Sequence, residues 1–274
     1  MKFTKMHGIG NDFVVIDCFH NTVENPAEAA GKLLDRRFGI GGDGLILALP
    51  SSTADARMRI FNSDTSEAEM CGNGIRCFGK FLYDNGLCRK NPMTVETLAG
   101  ILTLNFVLEN DRVSQVTVDM GKPRLSPSEI PVDAETNRVT VDLEGRPAEF
   151  FCAFTGVPHA VTFDYFPEGE EFLRLGAMME CHPVFPVKAN IEFCRMNSDG
   201  SIDVRVWERG AGPTLACGTG ACAVLTAAAS KGLTGRESLI HLPGGDLFIR
   251  WAEDDHLFMT GPAADSFTGE TNLI

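Results

Sequence analysis

A chain of 274 residues, 44% hydrophobic and 22% charged, has a soluble globular composition with apolar material for two cores, and its length favours two domains over one. The net charge of −13 argues against surfaces that track phosphates, so neither nucleic acid nor a membrane is an expected partner. Nine cysteines behind an N-terminus that shows no secretory signal imply thiols in a reducing, cytoplasmic compartment, and no stretch approaches a membrane-spanning length.

Alternating apolar residues predict strands over residues 13–16, 45–49, 58–61, 93–96 and 102–106, with 113–120 closing the first half. Helical spacing covers 27–37 and 75–83, where Ile75, Phe78, Phe81 and Leu82 form one stripe and Gly86 supplies a stop. A proline-rich crossover from Gly121 to Pro131 then separates the halves. Beyond it the order repeats: strands over 151–154, 159–163, 191–196 and 202–207, a helix over 220–230 ended by Gly232, and strands over 239–242 and 247–251. The expected class is α+β, with two pseudo-symmetric domains over 1–120 and 121–262, each a mainly antiparallel sheet wrapped around one central helix. The tail, 263–274, is expected to return to the first domain.

An internal repeat underlies this order. Cys71-Gly72-Asn73-Gly74 and Cys217-Gly218-Thr219-Gly220 each open an apolar helix, and the second follows the first by 146 positions. Arg59-Ile60-Phe61 and Arg205-Val206-Trp207 share that offset, as do Gly10 and Gly156. One offset across several segments means two copies of one unit, which would bring Cys71 and Cys217 to equivalent places. A single Cys-Gly-x-Gly is an ordinary buried cysteine at a glycine-rich helix start; two at equivalent positions point to function.

The chemistry follows from helix termini. Amides of a first helical turn are unsatisfied donors at the positive end of the dipole, suited to a carboxylate and able to lower the pKa of a nearby thiol. Two such termini around one amino acid would hold its carboxylate while each presents a sulfur to a different face of the adjoining carbon. The amides stabilise charge that develops as the α-proton leaves, so neither an imine nor a metal is required and no cofactor is expected. A thiolate and a thiol on opposite faces supply the base and acid for inversion. The spacings of Cys71 with Cys77 and Cys217 with Cys222 are not those of a structural zinc site. The other seven cysteines read as small buried hydrophobes.

These residues resemble those of the diaminopimelate epimerase family. The matching segments are Met6-His7-Gly8-Ile9-Gly10-Asn11-Asp12-Phe13, Phe61-Asn62-Ser63-Asp64, Cys71-Gly72-Asn73-Gly74-Ile75-Arg76-Cys77, Trp207-Glu208-Arg209-Gly210, Ala216-Cys217-Gly218-Thr219-Gly220-Ala221 and Leu242-Pro243-Gly244-Gly245, spread over nearly the whole chain. The resemblance implies a pair of pseudo-symmetric domains and a pyridoxal-independent enzyme that interconverts LL- and meso-diaminopimelate in lysine and peptidoglycan synthesis. It further implies Cys71 and Cys217 as the acid and base, with His159 and Glu208 supporting the thiols. Asn11, Asn62, Gly72, Asn73, Asn190, Glu208, Arg209, Gly218 and Thr219 fall on the family's substrate-binding positions, Arg209 as partner of the distal carboxylate. Two departures stand out. Val157 replaces the usual Asn before the Pro-His of Gly156-Val157-Pro158-His159, and Gly44 follows Asp43 where Gln is frequent, leaving backbone as the expected source of any contact from that turn.

Alternatives to this enzyme are another cofactor-independent amino-acid racemase on the same scaffold, a thiol oxidoreductase, and an amino-acid-binding module without catalysis. Symmetric homodimers are common among soluble enzymes, so a homodimer is compatible with the sequence, which leaves the oligomeric state open.

Overall fold

The computed structural model describes residues 1–274 and resolves them into two compact units, one of residues 1–119 and 260–274, the other of residues 120–259. In the first unit the strands are β1 (Lys2–Gly8), β2 (Asn11–Asp17), β3 (Gly44–Leu49), β4 (Ala56–Asn62), β5 (Glu67–Ala68), β6 (Met93–Thr97), β7 (Gly100–Glu109) and β8 (Arg112–Asp119). Its helices are α1 (Pro26–Leu33) and α2 (Gly72–Asp84). The second unit holds β9 (Arg138–Asp142), β10 (Pro147–Phe154), β11 (Pro158–Thr162), α3 (Gly169–Glu180), β12 (Asn190–Met196), β13 (Ile202–Glu208), β14 (Gly212–Pro213), α4 (Gly218–Ser230), β15 (Glu237–Leu242) and β16 (Gly245–Trp251). The strand β17 (Leu257–Pro262) then carries the chain back to the first unit, where β18 (Ala264–Glu270) pairs antiparallel with β1.

Most pairings are antiparallel, but each unit contains two parallel pairs joined by helical crossovers: β2 with β3 through α1 and β4 with β6 through α2 in the first, β11 with β12 through α3 and β13 with β15 through α4 in the second. The registers repeat with the sequence. Phe13 faces Gly44 as His159 faces Asn190, and Leu45 faces Phe61 as Ile191 faces Trp207, each pair displaced by the offset that separates the two cysteines.

The crossovers make each sheet two-sided, whereas the sequence pattern pointed to one central helix per half. In the first unit Leu45 and Leu47 of β3 pack with Ala29, Ala30 and Leu33 of α1, while Ile46 lies against the first turn of α2 beside Gly74. In the second, Ile191 and Phe193 of β12 pack with Leu175 and Met179 of α3, leaving Asn190 and Glu192 on the face toward α4. Helix α3 carries only a narrow apolar stripe, with Leu175, Gly176 and Met179 buried, which is why its periodicity is weak. The helix expected over 27–37 stops at Leu33, because Asp35 Oδ1 accepts from the amides of Arg37 and Phe38 at 2.7 and 2.8 Å and draws the chain into a turn. Helix α4 is buried on nearly every side, consistent with its alanines. No helix is long and apolar enough to cross a membrane.

Candidate active site

Each of the two candidate cysteines caps a helix. Cys71 is extended (φ −140°, ψ 120°) and its Sγ accepts from the amide of Gly74 at 3.4 Å; Cys217 is extended (φ −129°, ψ 108°) and its Sγ accepts from Gly220 at 3.3 Å. The thiol thus replaces the usual Ser, Thr, Asp or Asn cap, which leaves the sulfur at the positive end of the dipole. A glycine is required at the third position after the cap in α4: a Cβ on Gly220 would come within 2.8 Å of Glu192 Oε1 and 3.2 Å of the sulfur it caps. All nine cysteines carry thiols.

Around Cys71 the first unit assembles a polar cluster. The Cys71 thiol donates to Asn11 Oδ1 at 3.7 Å, and Asn73 Nδ2 donates to the same oxygen at 3.2 Å. Asn11 is held from behind, its Nδ2 donating to Asp43 Oδ2 at 2.7 Å. The glycine turn therefore acts through the Asp43 carboxylate as well as through backbone. Arg36 reaches both Asp43 and Asp12 at 2.7 Å, and Lys5 meets Asp12 at 2.6 Å. Burial pushes the Asp12 carboxyl up, but hydrogen bonds from Arg36, Lys5 and the Asp43 side outweigh it and hold Asp12 well below the usual carboxylate range. Arg76, fully buried one turn into α2, donates to Gly72 O at 3.0 Å, to Asn73 Oδ1 at 2.9 Å and to Pro262 O at 3.2 Å. It pins the first turn of the helix and orients the Asn73 amide. Asn62 ends β4, exposed and opposite Gly44 in the register, its Nδ2 donating to Ser66 Oγ at 3.0 Å.

Around Cys217 the second unit builds a drier environment. The residue is 4% exposed, and its Sγ takes a hydrogen bond from Asn190 Nδ2 at 3.7 Å and lies 3.4 Å from Thr219 Oγ1. Asn190 Oδ1 accepts from the Arg209 amide at 2.8 Å, which fixes the backbone after β13, while the Arg209 guanidinium reaches outward to Val187 O at 3.1 Å. Glu208 Oε1 accepts from Thr214 at 2.5 Å. Burial raises the Glu208 carboxyl above its ordinary value against the opposing pull of Thr214 and His159. Burial likewise drives the Cys217 thiol well above the usual thiol range, helped by the charges of Glu208 and Glu192 and resisted by hydrogen bonds from Thr219 and Gly220. His159 lies on β11 with no exposed side-chain surface, its Nδ1 2.6 Å from Glu192 Oε1.

Within its own unit, then, each cysteine gathers most of the residues assigned to it: Asn11, Gly72 and Asn73 with Cys71, and His159, Asn190, Glu208, Gly218 and Thr219 with Cys217. Sequence reasoning missed Asp43, Arg36, Lys5, Arg76, Thr214 and Glu192. Of these only Arg76 had a signal, since a charge one turn into an apolar helix stripe is unusual; the rest become neighbours only through sheet register.

The pattern of the family described as "Diaminopimelate epimerase" matches residues 3–126 and 151–265. The chain belongs to the diaminopimelate epimerase family. A diaminopimelate epimerase of Desulfitobacterium hafniense is 53% identical over 98% of this chain and 97% of its own length, and one of Methanococcus maripaludis is 51% identical over all of both. More distant likenesses show the fold alone. A crystal structure of a hydroxyproline epimerase from Agrobacterium vitis superposes with a TM-score of 0.71 at 19% identity, covering 98% of this chain and 91% of that one. A phenazine biosynthesis protein of Bacillus anthracis gives 0.68 at 17% identity over 99% and 98%. The fold is thus a mixed α/β scaffold shared with proteins of other names.

Proposed function

We propose that this protein is an isomerase that interconverts LL- and meso-diaminopimelate, a small-molecule amino-acid substrate, without a cofactor. Cys71 and Cys217 serve opposite faces of one α-carbon, one sulfur removing the proton while the other returns one. What carries the reading is the paired capping geometry: the same thiol-capped helix start occurs twice, at the repeat offset, in a chain about half identical to curated enzymes of that name along its whole length.

The α-proton of an amino acid is very weakly acidic, and first-turn amides of α2 and α4 stabilise the charge that spreads onto the substrate carboxylate as it leaves. Burial and two carboxylates push the Cys217 thiol up, which suits it to the acid role when Cys71 is the base. Asn11, Asn190 and Thr219 hydrogen-bond with the sulfurs and Asn73 with Asn11, and these four, with Asn62, Gly72, Glu208, Arg209 and Gly218, are the residues this reading assigns to substrate binding. The return reaction exchanges the roles of the two thiols, so their titrations belong to the pair.

Incubation of fully reduced protein with LL-diaminopimelate in heavy water tests this. The expected result is deuterium at one α-carbon together with the meso isomer, and loss of inversion from both directions in Cys71→Ala and Cys217→Ala. No exchange into diaminopimelate would overturn the assignment; exchange only into amino acids with a single stereocentre would move it to another racemase.

A further inference from the structure

Beneath Cys217 lies a buried pair that the proposed acid–base chemistry does not yet use. His159 and Glu192 both have side chains with no exposed surface, and Nδ1 of the ring stands 2.6 Å from Oε1 of the carboxylate. A ring nitrogen, a Glu192 oxygen and Cys217 Sγ all lie within 4.8 Å of one another. The far atoms of the pair, His159 Nε2 and Glu192 Oε2, are buried without a hydrogen-bond partner. Burying a charge and leaving polar atoms unpaired costs stability, so such an arrangement is retained where it does something that an apolar core would not.

The placement is also specific. Glu192 sits on β12 between Ile191 and Phe193, which face α3, so strand alternation turns it toward α4. Its carboxylate presses so closely on the first turn of α4 that any side chain at Gly220 would collide with Oε1. His159 is brought beside it by the parallel pairing of β11 and β12.

We infer that Glu192 is a positioning residue which, through His159, lets the buried Cys217 thiol act as a base. The inference rests on the two-thiol reading above. Glu192 Oε1 accepts the Nδ1 proton of His159, which fixes the tautomer and leaves the lone pair on Nε2. When Cys217 must become a thiolate, its S–H bond breaks, the proton passes to the imidazole ring, one nitrogen of which lies within 4.8 Å of the sulfur, and the resulting imidazolium is compensated by the Glu192 carboxylate. The thiolate then removes the substrate α-proton while Cys71 donates one to the opposite face. When Cys217 next acts as acid, the same proton inventory runs backwards. The arrangement follows the logic of nucleophile, imidazole and orienting acid. It answers a difficulty set by the site itself: a thiol enclosed among carboxylates resists ionisation and needs a nearby proton acceptor. The titratable groups that face Cys217 within its unit are Glu208 from β13, Glu192 from β12 and His159 from β11.

The sign of one measurement separates this from a purely structural role. In substrate-free, fully folded Glu192→Gln protein, alkylation of Cys217 by iodoacetamide is followed peptide by peptide with mass spectrometry across pH 6–10. If Glu192 were only a charge beside the sulfur, removing it would relieve repulsion and speed alkylation at neutral pH. The relay predicts the reverse, a fall of about tenfold, equivalent to a midpoint one pH unit higher. Faster or unchanged alkylation overturns the inference. This arm needs no turnover, so it can fail or succeed independently of the assigned reaction. With diaminopimelate as substrate, Glu192→Gln should lose roughly 100-fold in kcat in the direction that uses Cys217 as base, with KM changed less than about twofold. The double variant with His159→Asn should be no slower than His159→Asn alone; additive losses would count against a shared path. Should Glu192→Gln fail to fold, Glu192→Asp keeps the charge but withdraws it from the ring, and is expected to show the same slowed alkylation to a smaller extent.

Discussion

The residues behind the first cysteine show how one side-chain amide, that of Asn11, is held still by a chain of charges. Asn11 is oriented by Asp43, Asp43 by Arg36, and Arg36 and Lys5 together clamp Asp12 in the next position of β2. Because the folded pKa of Asp12 is depressed, the unfolded chain binds that proton more tightly. The contribution of Asp12 to stability is therefore present above its unfolded value, near 3.9, and is lost as pH falls through that range toward the folded value. Lys5→Met removes one partner from a buried site. It should lower unfolding stability at pH 7 by about 2 kcal/mol, and the gap from the parent protein should narrow below about pH 4 as Asp12 is protonated in the unfolded state. Urea titrations at pH 7 and pH 3 measure both values, and a gap that is equal at the two pH values would count against the clamp.

Elements, in turn, are shaped by close approaches that override local preference. Gly176 in the middle of α3 is a poor helix former, and replacing it by Ala should on propensity alone stabilise the helix by about 1 kcal/mol. The position has no room for it. A Cβ there would lie 2.7–2.9 Å from the Trp207 ring, and that ring is locked by its Nε1 donating to Glu180 Oε2 at 2.7 Å. Gly176→Ala is therefore expected to destabilise the protein by about 1–3 kcal/mol and to perturb the Trp207 fluorescence of the folded state. A higher denaturation midpoint with unchanged emission would show that the ring yields. Close approach also shapes the starts of α2 and α4, where a Cβ on Gly74 would come within 3.1–3.3 Å of Ile60 and Ile46 and one on Gly220 within 2.8 Å of Glu192 Oε1.

At the scale of the molecule, the two units share a topology but not a chain history, since the first is closed by the last strand to be made. The strand β1 lies between β2 and β18, with the N-terminal ammonium donating to Thr271 O at 2.8 Å and Phe3 packed edge-on against Phe267 at 6.0 Å. A chain ending at Ala263 would turn β1 into an exposed edge strand and remove the partner of the strand that carries Lys5. Circular dichroism should report a lower melting midpoint for such a truncation. Tryptophan emission, which comes only from Trp207 and Trp251 in the other unit, should change much less. Equal shifts in both signals would mean that the units unfold as one.

Much of this architecture was legible in the amino-acid order. The repeat offset, the alternation of apolar residues and the glycines flanking Cys71 and Cys217 are local patterns, and local patterns set helix starts, strand faces and the equivalence of the two thiols. The crossover helix α3 was not legible, because its buried stripe is only a few residues wide, nor was the early end of α1, decided by one aspartate competing for backbone donors. The partners of the site residues belong to the tertiary structure alone. Alternation says that Glu192 and Ile191 face opposite ways, but only the parallel register of β11 with β12 and the seat of α4 turn Glu192 toward His159 and Cys217. Residues dozens of positions apart share a hydrogen bond when strand pairing brings them within reach, and that pairing depends on the summed packing of whole sheets, which no short stretch of sequence contains.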